Sequence, residues 1–225
     1  MNISILKEFS DSDLANQGGD HMKVLMFAPV LRSGSYNKKL IRIAFDYVQS
    51  IPGFDPELIE FNDFDMPLYD GDLETTSGIP DNCSRLAKKI TEAEAIIIST
   101  PEYNGGIPGV FKNAIDWLSR LTPVPLTGKQ IILLSATPGS LAGARGNFHT
   151  RWPLQVLSAH VYPDYFGLAK AHEAFDEEEK LKDPNEQLRL QKIISDFLIY
   201  ASREETPFSA LDVFLEEQKH SSHHH

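Results

Sequence analysis

The chain has 225 residues, 41% hydrophobic and 24% charged, with a formal net charge of −11 and one cysteine. That length suits one compact domain with an ordinary core, the lone cysteine excludes an intrachain disulfide framework or a Cys-rich zinc module, and no apolar run approaches the roughly 20 residues a membrane helix needs. The acidic balance disfavours non-specific nucleic-acid binding, which depends on basic surface. The charge is uneven: Glu173–Asp183 is net −4 and Arg203–Lys219 net −3. An anion site elsewhere therefore stays open, and both runs read as solvated faces.

Residues 1–22 read as an N-terminal extension without the basic start and apolar stretch of a secretory signal. The body, 23–203, alternates strands and helices. Lys23–Val30 reads as a strand, then Asn37–Ile51 as a helix with Leu40/Ile41, Ala44, Tyr47/Val48 and Ile51 on one stripe. Pro56–Phe61 is a short strand. Asp81–Ala93 is a helix, with Asp81 a candidate N-cap and Cys83 on its apolar stripe. Ala95–Ser99 is a β-branched run of the kind covered on both faces. Pro108–Leu121 is helical, with Pro108 suited to the first helical position. Gln130–Ser135 is another buried strand, and Pro138–Gly146 a Gly-rich loop. A helix covers part of Asn147–Ser158. His160–Phe166 is a strand interrupted by Pro163, and Pro184–Ser202 a long helix. The tail, 204–225, holds one short amphipathic helix around Phe208, Leu211 and Phe214/Leu215. This order argues for an α/β fold with a five-stranded parallel sheet and helices on both faces. It allows the strand order 2-1-3-4-5 without selecting it.

Parallel sheets bind ligands beyond the carboxyl ends of their strands, so three loops carry the functional question. The first, Leu31-Arg32-Ser33-Gly34-Ser35-Tyr36-Asn37, runs into a helix N-terminus with hydroxyls, an amide and a guanidinium. That suits a phosphate; the alternative is a plain helix entry capped by Ser35. The second is Thr100-Pro101-Glu102-Tyr103-Asn104-Gly105-Gly106-Ile107-Pro108. Its paired glycines let a flat ligand approach backbone donors; alternatively it is only a turn. The third, Thr137 to Gly146, either closes over one side of such a ligand or merely connects. Other chemistry lacks a pattern. There is no Gly-x-Gly-x-x-Gly, no P-loop and no Gly-x-Ser-x-Gly elbow. His149, His160 and His172 lack metal-ligand spacing, Cys83 reads as core, and Asp63 and Asp65 as a solvated loop.

The run Pro101-Glu102-Tyr103-Asn104-Gly105-Gly106-Ile107-Pro108-Gly109-Val110-Phe111-Lys112-Asn113-Ala114-Ile115-Asp116-Trp117, with Leu31-Arg32 and Ser35-Tyr36-Asn37 in the first loop, resembles the NAD(P)H-dependent FMN reductase family. The likeness covers about Lys23 to Ser202. Pro29 and Val30 stand where the family commonly has Gly-Ser, and Ser140 and Ala142 where its third loop often has glycines. The resemblance implies a flavodoxin-like three-layer sandwich with sheet order 2-1-3-4-5. It implies Arg32, Ser35 and Asn37 at the FMN phosphate and Tyr36 by the ribityl chain. Pro101, Glu102, Tyr103, Asn104, Gly105 and Gly106 would border the isoalloxazine, with Gly139 and Ser140 on its other side. It further implies NADPH or NADH as hydride donor and a small acceptor such as a flavin or quinone. No dedicated catalytic residue or metal, no nucleic-acid or membrane partner, a cytoplasmic location, and a homodimer or homotetramer with contacts near Asn113–Trp117 complete the expectation. The alternative is an FMN-binding electron carrier or redox sensor serving a protein partner.

Overall fold

The computed structural model describes residues 21–202; the extension through residue 20 and the expected helix around Phe208–Leu215 lie outside them. Five strands, β1 (Met22–Phe27), β2 (Phe54–Ile59), β3 (Ala95–Ser99), β4 (Gln130–Ala136) and β5 (His160–Leu168), form one sheet in the order β2-β1-β3-β4-β5. Every neighbouring pair is parallel. The expected strand order is therefore realised.

Strand pleating sends alternate residues to opposite faces, and both faces are buried. Val24, Met26, Ala95, Ile97, Ile132 and Leu134 pack with Leu40, Ala44 and Val48 of α1 (Tyr36–Gln49). Leu190, Ile194 and Phe197 of the long C-terminal helix (Pro184–Ala201) complete that layer. Leu25, Phe27, Ile96, Ile98, Ile131 and Leu133 pack on the other side against Cys83, Leu86 and Ile90, from the helix Asp81–Glu92. Phe111 and Ile115, from Gly109–Leu118, extend this second layer. The β-branched run in β3 is buried residue for residue, as a two-sided strand requires.

Local differences have local causes. Helix Asp81–Glu92 has Pro80, not Asp81, in the cap position; Asp81 is its first helical residue, where its charge meets the positive helix end. Pro108 likewise occupies the cap position, and helix begins at Gly109. Pro163 does not end β5: the strand continues to Leu168 through a register shift opposite Ile131 and Leu133. Arg151 gathers the carbonyls of Val161, Tyr162 and Pro163 exposed there. A 3-10 turn at Phe61–Phe64 and a helix at Gly71–Ser77 lie in the stretch after β2 that carried no expected element. Trp117 is fully buried and donates to the Pro67 carbonyl (2.8 Å), and Asn113 bonds Tyr69 N–H and the Pro67 carbonyl. These two side chains tie down their own chain's 66–69 segment.

Candidate functional site

The three loops converge beyond the carboxyl ends of β1, β3 and β4. Arg32, Ser35, Tyr36, Asn37, Pro101, Glu102 and Tyr103 line one cleft with Val30, Ala136, Thr137 and Pro138. Gly139 and Ser140 line an adjoining cleft with Leu141, Gly143 and Arg145, and Glu102, Thr137 and Pro138 wall both.

The first loop ends in a cap. Ser35 is extended and its Oγ accepts from the Asn37 N–H (3.2 Å), which starts α1. Arg32 is exposed at the mouth, donates to the Gly34 carbonyl (2.8 Å) and lies 6.0 Å from the Tyr36 ring. Tyr36 stacks on Phe175, with ring centroids 6.1 Å apart. Asn37 is buried: its Oδ1 accepts from Ser99 Oγ (3.0 Å) and Ala136 N–H (2.9 Å), and its Nδ2 donates to the Ala136 carbonyl (3.0 Å). These bonds tie the start of α1 to the ends of β3 and β4, and hold the three loops in mutual register.

The second loop is a tight hairpin. Tyr103 and Gly106 exchange backbone bonds (3.1 and 3.0 Å), and the two central residues, Asn104 and Gly105, have φ of 52° and 76°. Asn-Gly is the pair that best tolerates this left-handed turn. Gly106 N–H is consumed by the pairing, so the exposed donors sit at the tip, on Asn104 and Gly105. Glu102 is held by the third loop: its Oε2 accepts from the Gly146 N–H (3.1 Å) and its Oε1 from Arg145 Nε (3.2 Å). Its carboxylate thus staples the second loop to the start of α5 (Ala144–Val156).

The third loop is built on close approach. Ser135 Oγ donates to the Ala142 carbonyl (2.5 Å) and accepts from Asn147 Nδ2 (2.9 Å). A Cβ at Gly143 would lie 2.7 Å from Ser135 Oγ, and one at Gly146 would lie 2.9 Å from Glu102 Cα. Ala142 has φ of 52°, a left-handed conformation that costs an alanine about 1 kcal/mol or more. Arg145, Gly143 and Gly146 were not singled out from sequence. Their signal is spacing within the Gly-rich run, and it acquires meaning only when Glu102 and Ser135 are seen against them.

These clefts fit a flavin mononucleotide in donor chemistry. A capped helix start with a guanidinium lies at one end, and the hairpin contributes Pro101, Glu102 and Tyr103 to the walls, whereas Asn104, Gly105 and Gly106 line neither cleft. A model of the family described as NADPH-dependent FMN reductase matches residues 22–173. The chain belongs to the NADPH-dependent FMN reductase family. It is 37% identical over 154 residues to a quinone reductase of Escherichia coli, covering 66% of this chain and 78% of that one. It is 34% identical to an NAD(P)H-dependent FMN reductase of Pseudomonas aeruginosa, covering 82% and 97%. Among solved structures it is similar to the flavoenzyme NAD(P)H:(acceptor) oxidoreductase FerB from Paracoccus denitrificans. There the TM-score is 0.70 at 25% identity, covering 81% of this chain and 98% of that one. This FMN reductase-family chain is thus related to quinone and flavin oxidoreductases, and among its described residues no helix is long and apolar enough to cross a membrane.

Proposed function

We propose that the protein holds FMN across the two joined clefts, takes hydride from NADPH or NADH and passes electrons to a small acceptor such as a flavin or quinone. The observation that carries this reading is the convergence of the loops after β1, β3 and β4 on two adjoining clefts that share Glu102, Thr137 and Pro138. Bound FMN would supply the redox centre, accepting hydride at N5 and returning electrons to the acceptor. The chain's own share is binding and orientation. Arg32 and the amides entering α1 hold the phosphate, aided by the helix start that Ser35 caps. Asn37 acts from beneath by fixing the loop, and Tyr36, packed on Phe175, borders the ribityl chain. The Pro101–Gly106 backbone, with Gly139 and Ser140, borders the ring, and donors on the hairpin tip stabilise negative charge developing there. No side chain need move a proton; positioning is the protein's contribution.

The reading includes a cytoplasmic location, where reduced nicotinamide is supplied, and a homodimer or homotetramer. Support for assembly comes from α5, where Phe148, Trp152 and Val156, spaced four residues apart on one stripe, are all exposed. The domain limits follow the same reading: extension to 22, FMN-binding body 23–203, tail 204–225.

The test is steady-state NADPH and NADH oxidation by the purified, FMN-loaded protein with a small quinone or free flavin. Sustained turnover is expected. FMN binding without turnover would favour the electron-carrier alternative, and no FMN affinity at all would overturn both.

A further inference from the structure

The cofactor's phosphate has a cation at one end of the trough, Arg32. A second cation lies at the other end, and the proposed function gives it no task. Arg145 leaves the first turn of α5 and crosses the tip of the hairpin, its Cδ and Nε each 4.0 Å from where a Cβ on Gly105 would sit. Its Nε donates to Glu102 Oε1 at 3.2 Å, while the other oxygen of that carboxylate is held by the Gly146 N–H at 3.1 Å. The guanidinium is therefore gripped by one edge only. Its side chain is 64% exposed while Glu102 is 12% exposed, and it lines the second cleft. Four donors remain in a planar fork, which is the geometry that matches a phosphate.

The surroundings agree with an anion. Glu102 is the only acid lining either cleft, and its charge is already divided between Arg145 and the start of α5. Because the two clefts adjoin at Glu102, Thr137 and Pro138, a long ligand with a flat ring over the hairpin can extend its other end to this corner. A nicotinamide dinucleotide is such a ligand, with its phosphates separated from the reacting ring by a ribose.

We propose that Arg145 is the point at which the protein recognises a phosphate of the dinucleotide donor. This rests on the proposed function and adds to it a residue that grips donor rather than cofactor. The phosphate is either the pyrophosphate shared by NADH and NADPH or the 2′-phosphate of NADPH alone.

The experiment is calorimetric titration of FMN-loaded wild-type, Arg145→Lys and Arg145→Gln proteins with NADP+ and NAD+, alongside FMN binding to each apoprotein by fluorescence. Arg145→Gln should weaken NADP+ by about tenfold or more, while FMN affinity changes by less than about twofold. Arg145→Lys should fall between, keeping the charge and losing the fork. A loss confined to NADP+ assigns the 2′-phosphate and an equal loss for NAD+ assigns the pyrophosphate; either supports the proposal, and KM for the donor should rise in step. Unchanged NADP+ affinity in Arg145→Gln would overturn it. So would FMN and NADP+ weakening together, because Arg145 would then only brace the hairpin. A wild-type protein that binds FMN but neither dinucleotide would instead contradict the donor assignment in the proposed function, a distinguishable result.

Discussion

At the scale of single residues, the site's side chains divide into those that face the trough and those that hold it. Asn37 belongs to the second kind. Its amide oxygen and nitrogen join three elements inside the core, so Asn37→Ala leaves Ser99 Oγ and the Ala136 backbone without their partner. A buried polar group stripped of its bond costs about 1–3 kcal/mol, and a loss of that order is expected in urea unfolding, with FMN retention falling too. Arg32→Ala should act differently. Arg32 is exposed and makes one bond, within its own loop. Stability should hardly change while FMN dissociates more readily; unchanged retention would show that Arg32 is no phosphate ligand. Cys83 is fully buried, and burial pushes its thiol up to about 11. It should resist a thiol reagent in native buffer and react in denaturant, and fast native labelling would contradict its place in the core.

At the scale of elements, much was legible because hydrophobic period and chain length carry it. The apolar run of β3 and the stripe of α1 are readable from sequence because burial on the sheet imposes them. The convergence of the three loops at one end of the sheet was legible from the fold class, because ligand loops of a parallel sheet follow its strands. Two kinds of information were not. The helix at Gly71–Ser77 buries no residue, so it leaves no stripe to read. The roles of Asn37 and Glu102 depend on partners 99 and 44 residues away, which no local pattern encodes. Gly146 shows the consequence: Gly146→Ala would drive Cβ against the Glu102 backbone. It should displace the hairpin, costing about 1–3 kcal/mol and weakening FMN. Another long-range tie joins α1 to the chain after β2, where Lys38 donates to Glu60 (2.8 Å). That bond is the chief cause holding the Glu60 carboxyl below its ordinary value, with Arg42 adding to it against a smaller opposing effect of burial. A carboxyl lowered in the folded state stabilises at pH above its unfolded value, and the contribution disappears as pH falls through the folded value. The melting-temperature gap between wild type and Lys38→Met should therefore be full near neutrality and narrow below about pH 4; a constant gap would contradict the tie.

At the scale of the whole molecule, an acidic chain is compatible with the proposed anion binding because the charge is segregated. The acidic stretch Glu173–Asp183 is largely exposed, as expected, yet it is not idle: Glu179 reaches Lys39 (3.2 Å) and Arg42 (3.6 Å) on α1. The trough itself keeps Arg32 and Arg145 at its two ends. The outer stripe of α5 bears on assembly, for Trp152 is 73% exposed. If a second copy covers it, Trp152→Glu should lower the sedimentation mass; an unaltered mass would place the subunit contact elsewhere. The central claim, a flavin seated where a nicotinamide can reach it, is tested most directly by the visible spectrum of the FMN-loaded protein before and after anaerobic NADPH. The account predicts a bound-flavin spectrum that bleaches on addition and returns with a small quinone. A flavin spectrum that NADPH and NADH both leave unchanged would contradict it.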